Sequence, residues 1–154
     1  MLFRSKAKDF RERLAISINT KLDILREDRR LLIALFRYGG DPDHPLSWFG
    51  KGTEQQRKQA MAVFTEAIGD EKLPPDVRRV APMMLWTAHM GIILYFLYDK
   101  SPGQKKTHTL LAEGLDLLVQ AFEMSSVPML QPLLKPTRAK VMKLLKDADL
   151  LPEE

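Results

Sequence analysis

Few side-chain clusters in this sequence have the composition of a reactive site, and the two best candidates lie between residues 41 and 53. Asp41, Asp43 and His44 are metal-ligand types, but a proline-containing loop uses the same short polar residues to form its turns. The segment Gly50–Thr53 contains the residues of a phosphate-binding loop in the wrong order, since its lysine precedes the second glycine and no strand leads into it. We therefore expect neither a metal site nor a phosphate site here.

The sequence also lacks the side chains on which most enzymatic mechanisms depend. It contains no cysteine and three histidines, which excludes thiolate nucleophiles and cysteine-ligated metals. It has no zinc-protease motif, no nucleophile elbow and no pair of catalytic carboxylates. The sequence therefore predicts a protein that is not an enzyme and that needs no cofactor.

Composition predicts one globular domain over residues 1–154, because 45% of the residues are hydrophobic and 29% are charged. The net charge of +4 is too small to predict nucleic-acid binding without clustering. The segment Met1–Lys6 becomes charged before a signal-peptide core can form. The most apolar run, Met83–Tyr98, is shorter than the ~20 residues of a membrane span. We expect a cytoplasmic protein with no membrane partner.

Apolar residues recur at every third or fourth position through most of the chain, which predicts amphipathic helices and no strands. Pro82, inside the fourth helix, predicts a kink or a break near Val80. The expected fold class is all-α, a bundle of five to seven helices. The predicted helices span residues 6–26, 28–39, 53–69, 75–100, 104–124 and 137–147.

The fourth helix is apolar around its whole circumference, so every side of it must be covered. Its own domain can cover about half of that surface, which predicts a second copy of the chain on the rest. Two helices from each copy would then form an intermolecular four-helix bundle. The residues predicted to form the dimer interface are Met84, Ala88, Gly91 and Tyr95 on the fourth helix and Leu111, Leu115, Leu118 and Phe122 on the fifth.

Aromatic and methionine side chains from several segments are expected to converge inside the bundle. Each of them, taken singly, is more often a packing residue. His89 differs, because a buried imidazole needs a hydrogen-bond partner and its own helix offers no acidic residue within one turn. We therefore predict a cavity for a hydrophobic or aromatic effector, oriented by His89 or Tyr38. Its predicted lining is Phe36, Tyr38, Trp48, Met61, Phe64, Trp86, His89 and Met90.

Segments of the fourth helix and of the turn that follows it resemble a known family. Residues 85–91 (LWTAHMG), with residues 94–104 (LYFLYDKSPGQ), resemble the carboxy-terminal region of TetR-type bacterial transcriptional regulators. The loop of residues 43–50 (DHPLSWFG) is similar to one that precedes a helix in some members. The resemblance covers roughly residues 31–134. It implies an all-helical domain that binds a small-molecule effector and forms a homodimer through its two long late helices.

Members of this family begin with a three-helix DNA-binding unit that contains a helix-turn-helix. Residues 1–38 do not have the pattern of two short helices joined by a glycine turn. We therefore expect this chain to reach DNA only through an attached helix-turn-helix domain that it does not itself contain.

Two other functions are compatible with the sequence. The first is a helical protein-interaction adaptor without a ligand cavity. The second is a nucleic-acid binder that uses the basic last helix, although a core-packed helix with a solvated basic side has the same pattern. The basic residues in question are Lys135, Arg138, Lys140, Lys143 and Lys146.

Overall fold

The computed structural model describes residues 9–41, 43–148 and 150, and this part of the chain is helical with no strand. The all-α class and the expected number of helices are confirmed. Short 3-10 turns at Lys51–Thr53, Pro102–Gln104 and Pro128–Leu130 lead into the third, fifth and sixth helices. The six helices are α1 (Phe10–Leu25), α2 (Arg29–Gly39), α3 (Glu54–Ile68), α4 (Pro75–Tyr98), α5 (Lys105–Ser126) and α6 (Gln131–Asp147).

Helix α1 contributes one complete stripe to the core. Its predicted start at residue 6 lies outside the described residues, and Asp9 caps the helix by accepting a hydrogen bond from the Glu12 amide at 2.8 Å. Phe10 stacks on Phe122 of α5, with ring centroids 5.6 Å apart. The four-residue spacing places its apolar side chains on the face that contacts α3, α4 and α5. The buried residues of this stripe are Phe10, Leu14, Ile18 and Leu22.

Helix α4 is the central element, since it contacts each of the other five helices. It begins with Pro75, whose missing amide proton costs nothing in a first turn. Of the kink or break predicted near Val80, the break does not occur, because the helix continues through Pro82 to Tyr98. Val80 and Ala81 are buried, so packing holds the segment helical despite the lost hydrogen bond.

Helix α4 is longer than the apolar run Met83–Tyr98, which was predicted to be too short for a membrane span. Helix α4 has 24 residues and a mean hydropathy of 1.6 over its most apolar window, so it is long and apolar enough to cross a membrane. However, 44% of that window is buried inside the fold. The helix also contacts each of the other five helices, as a core helix does.

The turn between α4 and α5 is organised by the buried side chain of Asp99. Its Oδ1 accepts a hydrogen bond from the Ser101 amide at 2.8 Å. Its Oδ2 accepts from the Thr107 amide at 2.9 Å and from the Thr107 hydroxyl at 2.7 Å. Burial by itself raises the pKa of Asp99, but the hydrogen bonds from Ser101 and Thr107 outweigh it and hold the pKa well below its usual range.

Helix α6 begins at Gln131, earlier than predicted, because Pro132 is tolerated in a first turn and Pro136 removes a single hydrogen bond. None of its residues is buried. The Arg138 side chain attaches it to the bundle: Nε lies 3.0 Å from Oδ2 of Asp76, and Nη1 donates to the Ser125 carbonyl at 3.1 Å. Arg138 therefore bonds to α4 and α5 of its own chain and holds α6 against them.

We predict that Thr107→Val destabilises the fold by about 1–2 kcal/mol, because the buried Asp99 carboxylate loses a hydroxyl donor. The Asp99 contribution to stability is fully present above about pH 4 and is lost as the pH falls, since the folded pKa lies below the unfolded one. Urea unfolding at several pH values should show a smaller loss of stability below about pH 4 in the variant than in the wild type, because removing the Thr107 hydroxyl brings the folded pKa of Asp99 closer to the unfolded one. Thr109→Val, at an exposed position of the same helix, is the control, and equal effects of the two changes would contradict the assignment.

Candidate functional site

His89 lies on the inner face of α4 within a cluster of aromatic side chains. It is 8% exposed, and its ring meets that of Phe64 on α3 at 64°, with centroids 5.5 Å apart. Trp86, on the preceding turn, meets Phe49 edge-on at the same centroid distance. Phe64 and Trp86 are buried. The structure therefore brings together side chains from α3, α4 and the loop that precedes α3.

The imidazole of His89 places a titratable group in this cluster. Its Nδ1 is buried and has no hydrogen-bond partner among the described residues. Burial, and to a smaller extent the charge of Lys21, lower the pKa of His89 to about 4. The ring is therefore neutral at physiological pH and can form a hydrogen bond without carrying a charge. An unpaired buried polar atom is costly and is a common mark of a functional position.

The loop after α2 forms a second aromatic contact, between Trp48 and Phe36. The Trp48 amide donates to the Gly39 carbonyl at 3.0 Å, and the Trp48 ring meets Phe36 edge-on with centroids 4.8 Å apart. A side chain at position 39 would collide with the Trp48 ring, since a Cβ there would lie 2.0 Å from its Nε1. Glycine is thus required at Gly39 for Trp48 to pack on α2. Arg57 holds the other side of the loop through the Trp48 carbonyl at 2.8 Å.

The structure separates Tyr38 from the other predicted lining residues. Tyr38 is half exposed and stacks on His44 with ring centroids 4.5 Å apart. It follows Phe36 by two positions, which places it on the opposite side of α2. Of the two side chains predicted to orient the effector, His89 therefore lies in the cluster and Tyr38 lies outside it. The other four predicted lining residues are partly buried and pack against the hydrophobic core: Phe36, Trp48, Met61 and Met90.

The polar residues of the loop act as turn formers. The Asp41 carboxylate accepts a hydrogen bond from the Asp43 amide at 3.1 Å, and His44 Nδ1 accepts one from the Leu46 amide at 3.1 Å. Across the described residues, no group of three potential ligands is positioned to hold a metal ion.

Two open clefts lie away from the aromatic cluster. One, of about 950 Å³, is bordered by the start of α1, the segment after α3 and the end of α5. The other, of about 630 Å³, lies between the α1–α2 junction and the end of α4. Neither cleft is lined by any of the eight predicted ligand-binding residues. The cluster around His89 consists of side chains packed against one another.

The predicted interface residues separate into two groups. Met84, Ala88, Gly91 and Tyr95 share one exposed face of α4. Apart from its chain neighbours and the nearby backbone of its own helix, no atom of the described residues lies within 4 Å of a Cβ placed at Gly91. The predicted interface residues of α5 are instead covered by their own chain, on the side of the helix that faces α1. Buried or partly buried there are Leu111, Leu115, Leu118 and Phe122.

The apolar residues that α5 does expose were missed. Leu117 is 69% exposed, and Leu110 and Met124 lie seven positions on either side of it. This heptad spacing was the available signal, but α5 has two apolar stripes and periodicity alone does not say which one its own domain covers. Further along the chain, Met129 is 84% exposed, Leu133 is 73% exposed and Leu144 is 67% exposed.

Comparison with protein-family models matches residues 13–138 to the tetracyclin repressor-like C-terminal domain. The chain belongs to this family. The match extends from the first turns of α1 into α6, so it includes α4 and the loop that carries Trp48. A comparison with curated proteins finds no match. TetR-like C-terminal domains are parts of transcriptional regulators, which agrees with the resemblance seen in residues 85–104.

We predict that the stability of this TetR-like domain depends on the ionisation of His89. As the pH falls from about 6.5 to about 4, the unfolded chain binds a proton at His89 that the folded chain does not, which destabilises the fold by at most about 3 kcal/mol. Urea unfolding followed by tryptophan fluorescence should show this loss in the wild type and its absence in His89→Phe.

His108→Gln is the matched control for this measurement. His108 lies on α5, outside the cluster, with Nδ1 3.2 Å from Oδ1 of Asn19. This variant should keep the wild-type pH dependence. Parallel profiles for the wild type and His89→Phe would contradict the placement of His89 in an apolar interior.

Proposed function

We propose that this TetR-like domain binds a small hydrophobic or aromatic effector and forms a homodimer, and that effector binding controls an attached DNA-binding domain. The observation that carries the proposal is the two-sided character of α4. One side holds the buried, unpaired Nδ1 of His89 among aromatic rings. The other side is an exposed apolar face containing Ala88 and Gly91.

The case for a dimer rests on the extent of exposed apolar surface on the late helices. Soluble monomers rarely expose large contiguous apolar patches, and a second copy of the chain is the simplest partner for a self-complementary face. Ala88 and Gly91 allow another helix to approach α4 closely. Leu117 extends the exposed apolar surface onto α5.

Two pairs of helices could supply this interface. Helix α5 contacts both α4 and α6, so its exposed face is common to an α4–α5 pair and to an α5–α6 pair. We propose the α4–α5 pair, because its small residues permit close packing. The strongly exposed Leu133 and Leu144 on α6 support the second arrangement. Single charged substitutions on each helix distinguish the two.

We predict that Leu117→Glu converts the dimer to a monomer, because an interface cannot bury an unpaired carboxylate without a large penalty. Gly91→Arg should do the same if α4 joins the interface, whereas Leu144→Glu should do so if α6 joins it. The readout is multi-angle light scattering at micromolar protein concentration. Leu117, Gly91 and Leu144 are exposed in the single chain, so each of these variants should still fold.

Gln59→Arg, at an exposed position of α3, is the control and should remain dimeric. A monomeric wild-type protein under these conditions would rule out the proposed dimer.

The effector is proposed to bind at the aromatic cluster around His89. Because the imidazole is neutral at physiological pH, it favours a hydrogen bond to an uncharged polar group over an ion pair. Phe64 and Trp86 offer apolar and aromatic contact on either side. These side chains pack against one another, so the effector must displace some of them when it binds.

We predict that at least one compound in a panel of phenols and other small aromatic compounds raises the unfolding temperature. A ligand at about 100 times its dissociation constant stabilises the native state by about 2.7 kcal/mol. His89→Phe should weaken this effect while His108→Gln should not. Differential scanning fluorimetry over the panel provides the measurement, with quenching of Trp86 fluorescence as a second readout.

The alternative function is a helical protein-interaction adaptor. It is favoured by the close packing of the His89 cluster and by the exposed Leu31 and Tyr38 on α2, which lie outside the proposed interface. If no compound stabilises the domain, the adaptor is the better description. Equal stabilisation of His89→Phe and His108→Gln by a compound would contradict the placement of the effector at His89.

DNA recognition is proposed to require an attached helix-turn-helix domain. The basic helix α6 is a poor reader, because Arg138 bonds within the chain and Lys143 pairs with Asp147 at 2.5 Å. A regulator of this kind acts on DNA, and we therefore infer a cytoplasmic location.

A further inference from the structure

The smaller cleft, between the α1–α2 junction and the end of α4, has a distinctive charge. Four cationic side chains line it, Arg26, Arg29, Arg30 and Lys100, against the single carboxylate of Glu27. Its volume of about 630 Å³ is suited to a small organic molecule. None of its lining residues belongs to the His89 cluster.

Arg29 is the fixed point of this cleft. Its Nε donates to the Leu97 carbonyl at 3.0 Å, and its Nη2 donates to the Asp99 carbonyl. Its guanidinium also lies 5.6 Å from the centre of the Phe96 ring. These contacts hold the guanidinium in place and leave the N–H groups of Nη1 without a partner among the described residues. A guanidinium held in this way loses little entropy when it binds a ligand.

The cationic side chains of the cleft differ in whether a carboxylate neutralises them. Arg26 pairs with Asp23 at 3.0 Å. Arg30 and Lys100 make no ion pair with any described residue. The partners of Arg29 are backbone carbonyls, so no carboxylate cancels its charge. The cleft therefore has a net positive charge and unoccupied hydrogen-bond donors.

The other part of the cleft is apolar. Ile33 is partly buried, and its side chain packs at the edge of the core. Tyr98, at the end of α4, is exposed and adds an aromatic ring. Apolar walls beside cationic donors favour a molecule that has an anionic end and an apolar body.

From this arrangement we infer that the cleft binds an organic carboxylate with an apolar body. The carboxylate accepts hydrogen bonds from Arg29 Nη1 and is attracted by Arg30 and Lys100. The apolar body lies against Ile33 and Tyr98. This binding site is independent of the effector site proposed at His89.

The inference is tested by calorimetric titration of the full chain with decanoate and with decyltrimethylammonium, which has the same alkyl chain and the opposite charge. Decanoate should bind at one saturable site per chain. The double variant Arg30→Gln/Lys100→Gln should weaken this binding by about tenfold, since two favourable charge interactions are lost. Lys140→Gln/Lys146→Gln removes the same charge from an exposed part of α6 and should leave decanoate binding unchanged.

The position of the ligand is checked by methyl NMR. Decanoate should shift the Ile33 δ1 methyl resonance and leave that of Ile68, which is buried in the core, unaffected. The inference is overturned if decanoate does not saturate a site or if decyltrimethylammonium binds equally well. Equal weakening by the two double variants, or an unchanged Ile33 resonance, would also overturn it.

Discussion

A long helix with apolar side chains on every side cannot be left in contact with water, and the covering of α4 is the constraint on which the rest of this structure depends. The five other helices all contact it. Its inner residues, including Leu85, Ile93 and Phe96, form the middle of the core. Burial of each such side chain contributes about 1.5–3 kcal/mol. The other helices are consequently arranged around α4, and its outer face remains uncovered within a single chain.

This arrangement places both proposed activities on one rigid element. The His89 side of α4 faces the aromatic cluster, and the Gly91 side faces outward. A packed helix moves as a unit, and small shifts of helices at subunit interfaces are a common form of switching. An effector that displaces rings beside His89 would act on the same helix that supplies the proposed dimer contact. The two proposed sites would therefore be connected directly through α4.

Arginine side chains fix the ends of the helices around this core. Arg13 donates to the Ala67 carbonyl, Arg78 to the Gly69 carbonyl and Arg57 to the Trp48 carbonyl. Arg29 and Arg138 bind carbonyls at the ends of α4 and α5 in the same way. Carbonyls at helix ends and in loops lack backbone partners, and guanidinium groups satisfy several of them at once. Five of the 24 basic side chains thus stabilise helix ends and loops.

The amino-acid sequence by itself determined the helical class, the boundaries of α2 to α5 within a few residues, the family and the outward face of α4, because these follow from local periodicity and from a recognisable segment. It did not determine the continuity of α4 through Pro82, the early start of α6, the outward position of Tyr38 or which stripe of α5 is buried. Those features depend on which neighbouring helix competes for each face. A helix with two apolar stripes, such as α5, presents Leu111 or Leu117 equally well to a core, and only packing against α1 decides between them.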